Sequence, residues 1–553
     1  MDFDLLTDQE KNGRIEMLDF PRHSSELAKR FRVDGYWNDD TVVTYIDRWA
    51  EQTPDKLAIV APDQQLTYAD LRHESLKFAN ALLDLGLARG DVIAIQFPNN
   101  PEFIVAHIGI SMMGGVMCTL HMPYRAGEMA PLMNHGQAKA VICVEGGAKY
   151  DAPATMEGLK TQIPSLAHVI VVGEAGTGHH SFFEILAKAE AKPIANPPQA
   201  EDPCILCFTS GTSAAPKGVV RTHETFTSNL RVYAPTIELS ADDRVMVAPP
   251  FTHVFGLTCA TLALYTGATN VLMSLFSPEL YADRLINGKP TVVFCAPAHA
   301  AATLKSGLLN DVDLSSVRDV VIAGSVCPPE VAAELERRLP NGRVGQLFGM
   351  TETILIMQTP LDAPAETRHT STGRNTAGIE SRIVDPEDDS EAPTGAEGEL
   401  QVRGYSILAG YLNNAEANAN SFTADGFFRT GDLATIDADG NVVITGRVKD
   451  IINRGGVKIN PTDIENLLQA NPAIVLAAIV PMPDEVLGER ICVFATLAPG
   501  ASITFQEMTA YLAENGVAKM RWPERLEIID EMPLTPTRKI QKGELVMRIA
   551  AQL

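Results

Sequence analysis

An α/β fold is the class this sequence predicts: a large α/β body, a small β-rich region, and a compact α+β segment at the C-terminal end. Three observations predict it. Helix and strand patterns alternate through the first part of the chain. Short, turn-bounded strands replace them after residue 376. The 553 residues exceed what one hydrophobic core can hold, so two or more domains are expected.

The first clear helix starts at Thr67, a plausible N-cap with Asp70 in the first turn to complement the helix dipole. Leu71, Phe78, Leu82 and Leu85 follow at helical spacing, and Gly86 can close the helix. Val92–Ile95 reads as a short buried strand. The apolar stretch Phe103–Leu120 is long enough on paper to cross a bilayer. It contains His107, Ser111 and Gly114-Gly115, so it reads instead as a buried helix breaking into a strand from Val116. A further strand is expected at Ala140–Val144, and residues 145–202, rich in Ala, Gly and Pro, read as less regular. Later come short strands at Ser381–Val384, Gly398–Val402, Leu433–Ile436 and Val442–Thr445. Asp439-Gly440-Asn441 signals a hairpin between the last two.

Composition narrows the function. The formal net charge is -24 and the pI about 4.9, which argues against wrapping nucleic acid or docking on anionic lipid. The charge is uneven. From Arg447 onward 12 Lys/Arg face 13 Asp/Glu, so nearly all the excess lies in the body. Eight cysteines lie mostly in apolar runs and read as buried reduced thiols. Cys204-x-x-Cys207 lacks a second half-site, so neither metal nor redox chemistry is expected there. The acidic start, Met-Asp-Phe-Asp-Leu-Leu, does not resemble a signal peptide. A cytoplasmic protein without an integral membrane segment is expected, and no oligomeric state can be read.

The most informative stretch is Thr209-Ser-Gly-Thr-Ser-Ala-Ala-Pro-Lys-Gly218, after the apolar strand Cys204–Phe208. Hydroxyls, small residues and one lysine on a tight loop suit a polyphosphate: backbone N–H groups approach closely and Lys217 supplies a point charge. The Walker A pattern does not fit. Taken alone, such a loop is equally a flexible Ser/Thr/Gly linker. Four further motifs follow: Gly345-Gln-Leu-Phe-Gly-Met-Thr-Glu352, a glycine-bearing loop; Phe427-Phe-Arg-Thr-Gly-Asp432, another; Gly446-Arg-Val-Lys-Asp450 running into Asn453-Arg-Gly-Gly-Val-Lys-Ile459; and Pro533-Leu-Thr-Pro-Thr-Arg-Lys-Ile540.

In this order and spacing the motifs resemble the adenylate-forming superfamily of acyl-CoA synthetases, nonribosomal-peptide adenylation domains and luciferases, from about residue 40 to 545. Asp34-Gly-Tyr-Trp37 and Ile452-Asn-Arg-Gly-Gly456 look most like stand-alone aryl-acid ligases and small or alicyclic acid CoA ligases. The resemblance implies a large AMP-binding domain over 1–446, built of two α/β subdomains and a small β-rich one. It further implies a hinge at 447–449 and a small mobile domain over 450–553.

The resemblance also implies the site. Thr209, Ser210, Gly211, Thr212, Ser213 and Lys217 would grip the β- and γ-phosphates of ATP. The family usually has Gly where Ala214 stands, which predicts altered loop dynamics. Phe348 would stack on adenine, with Gly324 and Gly349 alongside. Thr351 would bond the α-phosphate and Glu352 would hold Mg²⁺. Asp432 would bind both ribose hydroxyls, the alternative being a turn-capping Asp after Gly431. Arg447 would assist at ribose or phosphate. Lys539 would sit between the acyl carboxylate and the α-phosphate, although Arg538 precedes it where the family commonly has Gly.

Lys449 would be the pivot of a domain rotation. Gly455 and Gly456 would line the path of the coenzyme A pantetheine, or form a simple β-turn. The acid pocket would be framed by Phe251–Gly256, Ala323–Ser325 and Gly345–Gly349, with His253 as a gate near the carboxylate. Dihydroxybenzoate ligases carry Asn after that His, where this chain has Val254, and no Asp awaits an α-amine. An uncharged aliphatic, alicyclic or aromatic acid is expected, passed to coenzyme A or to an acyl carrier protein. A luciferase-like oxygenase is a third alternative, unsupported by any dedicated pocket.

Overall fold

A computed structural model describes residues 18–147, 150–209, 216–535 and 540–552. The described chain forms two compact units. One runs to Glu380 and includes Arg403–Phe428; the other comprises Ser381–Val402 and Arg429 onward. The expected hinge residues 447–449 lie within the second unit.

The first unit is built on two large sheets. One has eight strands in the order Tyr411–Leu412, Lys217–Thr222, Pro203–Thr209, Val116–Thr119, Val92–Gln96, Ala140–Val144, His168–Val172, His180–Ser181. It is parallel from Pro203–Thr209 onward, and its first two strands are antiparallel additions. The other has nine strands: Arg374–Asn375, Ile354–Gln358, Arg343–Met350, Asp319–Ile322, Val292–Cys295, Arg244–Val247, Thr269–Val271, Leu57–Val60, Gln65–Thr67. Parallel pairing joins Arg343–Met350 through to Leu57–Val60. The largest hydrophobic cluster joins both sheets through the helices Tyr68–Asp84, Pro101–Met112 and Val254–Thr266. This is the expected α/β body with two parallel sheets, each covered by helices.

Local sequence signals account for these elements. Thr67 caps the helix Tyr68–Asp84: its hydroxyl accepts from Asp70 N at 3.1 Å while the Asp70 carboxylate accepts from Thr67 N at 3.0 Å, a reciprocal capping pair. The apolar stretch divides as expected. The helix Pro101–Met112 starts from an Asn100 cap, the chain turns at Gly114 (φ +76°), and the strand Val116–Thr119 follows. No helix among the described residues is long and apolar enough to cross a membrane. All eight cysteines are free and buried.

The second unit holds a four-stranded sheet, ordered Ile379–Val384, Gly398–Gly404, Phe428–Ile436, Val442–Arg447. It also holds a sheet ordered Val457–Ile459, Ile452–Arg454, Gly488–Leu497, Ile474–Asp484, with Arg525–Ile528 alongside Gly488–Leu497. The helices Thr462–Gln469, Phe505–Glu514 and Lys542–Ala550 complete the α+β segment.

Three expectations need correction. Residues 145–202 are more regular than composition suggests, containing the helices Ala152–Leu159 and Phe182–Lys188 and the strand His168–Val172. That strand is a buried apolar run like Val92–Gln96, set among Ala-, Gly- and Pro-rich residues. The motif from Gly345 is not a loop but the strand Arg343–Met350, and only Thr351 to Thr353 turn. Likewise Thr430-Gly431-Asp432 lies inside the strand Phe428–Ile436. Glycine reads as a loop signal in sequence, but pairing with a neighbouring strand overrides it.

Candidate active site

The phosphate loop is described only at its two ends. Thr209 closes one strand, Lys217 opens the next, and the two residues are antiparallel partners. Ser210, Gly211, Thr212, Ser213 and Ala214 lie outside the described residues. The Lys217 ammonium stands 5.2 Å from the centre of the Tyr411 ring, a cation–π distance. Tyr411 belongs to the edge strand beside it, with Tyr411 opposite Val219 and Leu412 opposite Gly218.

The second motif turns next to that edge. Gly349 is required by close approach: a β-carbon there would lie 2.0 Å from the Ile354 carbonyl oxygen. Ile354 is held at φ +61°, an uncommon backbone state for a β-branched residue, at the end of the Thr351-Glu352-Thr353 turn. Glu352 is only 6% exposed. Its Oε1 accepts a hydrogen bond from the Tyr411 hydroxyl at 2.9 Å, and its main-chain carbonyl accepts from Leu408 N at 2.8 Å. Burial, with Glu352 adding, raises the Tyr411 pKa, so the phenol remains a donor.

Beneath the turn lies Arg221, fully buried in the strand Lys217–Thr222. Its guanidinium donates to the Thr351 carbonyl and to the Ser406 carbonyl, each at 2.6 Å. Burial lowers its pKa to about 10, and neighbouring Glu352 acts in the opposite direction, so the group is cationic at neutral pH. The sequence reasoning missed both Arg221 and Tyr411. One signal for Arg221 was available: a charged residue inside an apolar strand, between Val219-Val220 and Thr222. Tyr411 had no comparable signal.

His253 caps the helix Val254–Thr266; its Nδ1 accepts from Phe255 N at 3.2 Å. Its ring is nearly parallel to that of His121, with centroids 6.0 Å apart, and His121 Nδ1 is 3.1 Å from the Thr252 hydroxyl. Burial lowers the His121 pKa to about 4, leaving it neutral at physiological pH. Val254 is 4% exposed and part of the main core cluster. Gly256 allows the helix to start against Pro250, whose carbonyl oxygen would be 2.3 Å from a β-carbon. Gly324 has φ +94° with open space where a side chain would go, so conformation rather than crowding accounts for it. Phe348 is half-buried.

The remaining expected residues belong to the second unit. Asp432 and Arg447 are opposite partners on adjacent antiparallel strands, and Arg447 Nε lies 3.0 Å from Asp432 Oδ1. Asp432 therefore sits within a strand beside a cation. Its backbone N–H is held by the Thr430 hydroxyl at 3.0 Å. Lys449 occupies a single 3₁₀ turn, Val448–Asp450. Gly455 and Gly456, at φ +59° and +88°, form the two-residue turn of a hairpin in which Arg454 pairs with Val457. Both angles suit glycine, so the turn alone accounts for the pair. Lys539 and Arg538 lie outside the described residues. Their flanks are tied: Leu534 bridges Ile540, Gln541 N donates to the Pro533 carbonyl at 2.9 Å, and Lys542 Nζ lies 2.8 Å from Glu465 Oε1.

The chain resembles known proteins along most of its length. The profile of the AMP-binding enzyme family matches residues 46–412, and that of the AMP-binding enzyme C-terminal domain matches 463–539. The chain is 34% identical to the salicyl-AMP ligase / salicyl-S-ArCP synthetase of Mycobacterium tuberculosis, over 95% of this chain and 94% of that one. It is 31% identical to the medium-chain fatty-acid–CoA ligase of Escherichia coli, over 93% and 91%. Among solved structures it is similar to Mycobacterium smegmatis MbtA, with a TM-score of 0.73, 32% identity, and coverage of 96% of this chain and 98% of that one. In fold it is similar to the anthranilate CoA ligase AuaEII, with a TM-score of 0.84 at 24% identity, covering 93% and 98%.

Proposed function

The chain belongs to the AMP-binding enzyme family, and on that premise we propose that it activates a small uncharged carboxylic acid as an acyl-adenylate and passes the acyl group to coenzyme A. One observation carries the first step. Lys217, at the exit of the hydroxyl-rich loop, and Glu352, in the turn after Phe348, contact the same tyrosine, the lysine over its ring and the carboxylate at its hydroxyl. A triphosphate with its metal needs a cation for its phosphates and a carboxylate for the metal, side by side.

A free carboxylate is a poor electrophile. Attack of its oxygen on the α-phosphorus of ATP expels pyrophosphate and leaves the acyl carbon bonded to a good leaving group, AMP. Lys217 and the loop Thr209–Gly218 hold the departing phosphates. Glu352 is the residue that would hold Mg²⁺, which when bound neutralises charge on the phosphate oxygens. The pair fits a cation: a buried carboxylate held by one neutral donor, which leaves its second oxygen for a metal. Phe348 offers a face for the base, Asp432 with Arg447 takes the ribose, and Lys539 supplies positive charge where the transition state gathers negative charge.

Coenzyme A is the acceptor proposed, because Gly455 and Gly456 would line its pantetheine path; the 452–456 stretch resembles aryl-acid ligases as well as small or alicyclic acid CoA ligases. Relatives of both kinds are known, however, one named for a carrier-protein synthetase and another for a CoA ligase. Incubation with acid, ATP, Mg²⁺ and coenzyme A, followed by mass spectrometry, tests the choice. Acyl-CoA is expected; acyl-AMP that persists beside free coenzyme A would instead favour carrier-protein loading.

Val254 supports an acid without a 2-hydroxyl, since it is apolar where dihydroxybenzoate ligases carry Asn. Val254→Asn is expected to raise kcat/KM for 2-hydroxybenzoate relative to benzoate by about tenfold. An unchanged ratio would remove Val254 from the acid pocket.

A further inference from the structure

Tyr411 is not part of any motif that led to the site, yet it touches two of the site's functional groups. Its hydroxyl donates to Glu352 Oε1 at 2.9 Å, and the Lys217 ammonium lies over its ring at 5.2 Å. The residue is itself fixed. Asn418 Oδ1 accepts from Tyr411 N at 2.6 Å, and Asn418 Nδ2 donates to the Tyr411 carbonyl at 3.0 Å, so one side chain grips both main-chain groups. The segment carrying Tyr411 also binds the Thr351–Thr353 turn at three other points. Leu408 N reaches the Glu352 carbonyl, the Ser406 hydroxyl donates to the Thr353 carbonyl at 2.9 Å, and Arg221 ties the Thr351 and Ser406 carbonyls together.

We infer that Tyr411 is a positioning residue that aims Glu352 at the metal of the metal–ATP complex, occupying one carboxylate oxygen so that the other is presented to the cation. The inference rests on the reading of Glu352 as the metal-holding residue. A buried carboxylate left to rotate would offer either oxygen in several geometries, and a Mg²⁺-type cation demands a near-octahedral one. A donor on Oε1 removes that freedom, as partners outside the coordination sphere do for metal ligands generally. The Lys217 ammonium lies over the same ring, so cation and carboxylate contact one fixed side chain.

Tyr411→Phe removes only the hydroxyl and keeps the ring against Lys217. The measurement is the dissociation constant of a non-hydrolysable ATP analogue for the full chain, by calorimetry, first in EDTA and then with Mn²⁺. The difference between the two is the metal-dependent gain. In Tyr411→Phe that gain is expected to shrink by about tenfold, with the EDTA constant unchanged within about twofold and Tm preserved. A variant that keeps the whole gain while Glu352→Gln loses it overturns the positioning role and leaves Glu352 as the metal residue. If both variants keep the gain, the assignment of Glu352 fails and the inference with it. Equal weakening with and without Mn²⁺ would make Tyr411 a packing residue and would likewise overturn the inference.

Discussion

Lys539→Ala is expected to lower acyl-adenylate formation by roughly a thousandfold or more, about 4 kcal/mol of barrier, while ATP still binds. The reason is electrostatic. Charge builds on the α-phosphorus oxygens only as the acyl oxygen attacks, and an ammonium placed there is worth far more in the transition state than in the ground state. ATP affinity is proposed to rest instead on the phosphate loop, Phe348 and Asp432. On either side of residues 536–539, Leu534 bridges Ile540 and Gln541 bonds to Pro533 and Leu534. Single-turnover formation of acyl-AMP, beside equilibrium ATP binding, checks the prediction. A variant that makes acyl-AMP at near the parent rate would mean that the C-terminal motif is misplaced.

Lys449→Pro is expected to separate the two half-reactions. Lys539 is proposed to serve adenylation, and Gly455-Gly456 thioester formation. Both lie beyond residue 449, and one face cannot present both at a single acyl carbonyl, so the proposal requires the segment after the pivot to turn between steps. Lys449 is the central residue of the single 3₁₀ turn Val448–Asp450, directly after the strand Val442–Arg447. Proline there fixes φ near −65°, removes an N–H and restricts Val448 before it. Adenylation is expected to survive within about tenfold while thioester formation falls several hundredfold, about 3–4 kcal/mol. Single-turnover assays of acyl-AMP formation, and of coenzyme A capture from supplied acyl-AMP, read the steps separately. Equal loss in both would make Lys449 structural, and undiminished capture would move the pivot elsewhere.

Where short-range chemistry decided the structure, the sequence was enough. The Thr67–Asp70 capping pair, the break at Gly114 and the strands Val92–Gln96 and Ala140–Val144 all follow from residues within a few positions of one another. The pairing of Asp432 with Arg447 was half legible. Asp439-Gly440-Asn441 announced the hairpin, but the register shift between Leu433 and Ala434 that brings the two opposite each other has no signature in composition. The strand His168–Val172 is an apolar run like Val92–Gln96 and Ala140–Val144, but the Ala-, Gly- and Pro-rich residues around it masked it. Arg221 and Tyr411 were missed for a different reason. Their partners lie 130 and 59 positions away, at Thr351 and Glu352, and only the folded sheet edge brings them together.

Acid-dependent exchange of labelled pyrophosphate into ATP tests the central claim most directly, because it reports reversible acyl-adenylate formation without any thiol. A panel of uncharged short aliphatic, alicyclic and aromatic acids is run with Mg²⁺. The account predicts exchange well above the no-acid background for at least one class, abolished in Lys539→Ala. Background exchange with every acid, from protein that binds ATP, would contradict it.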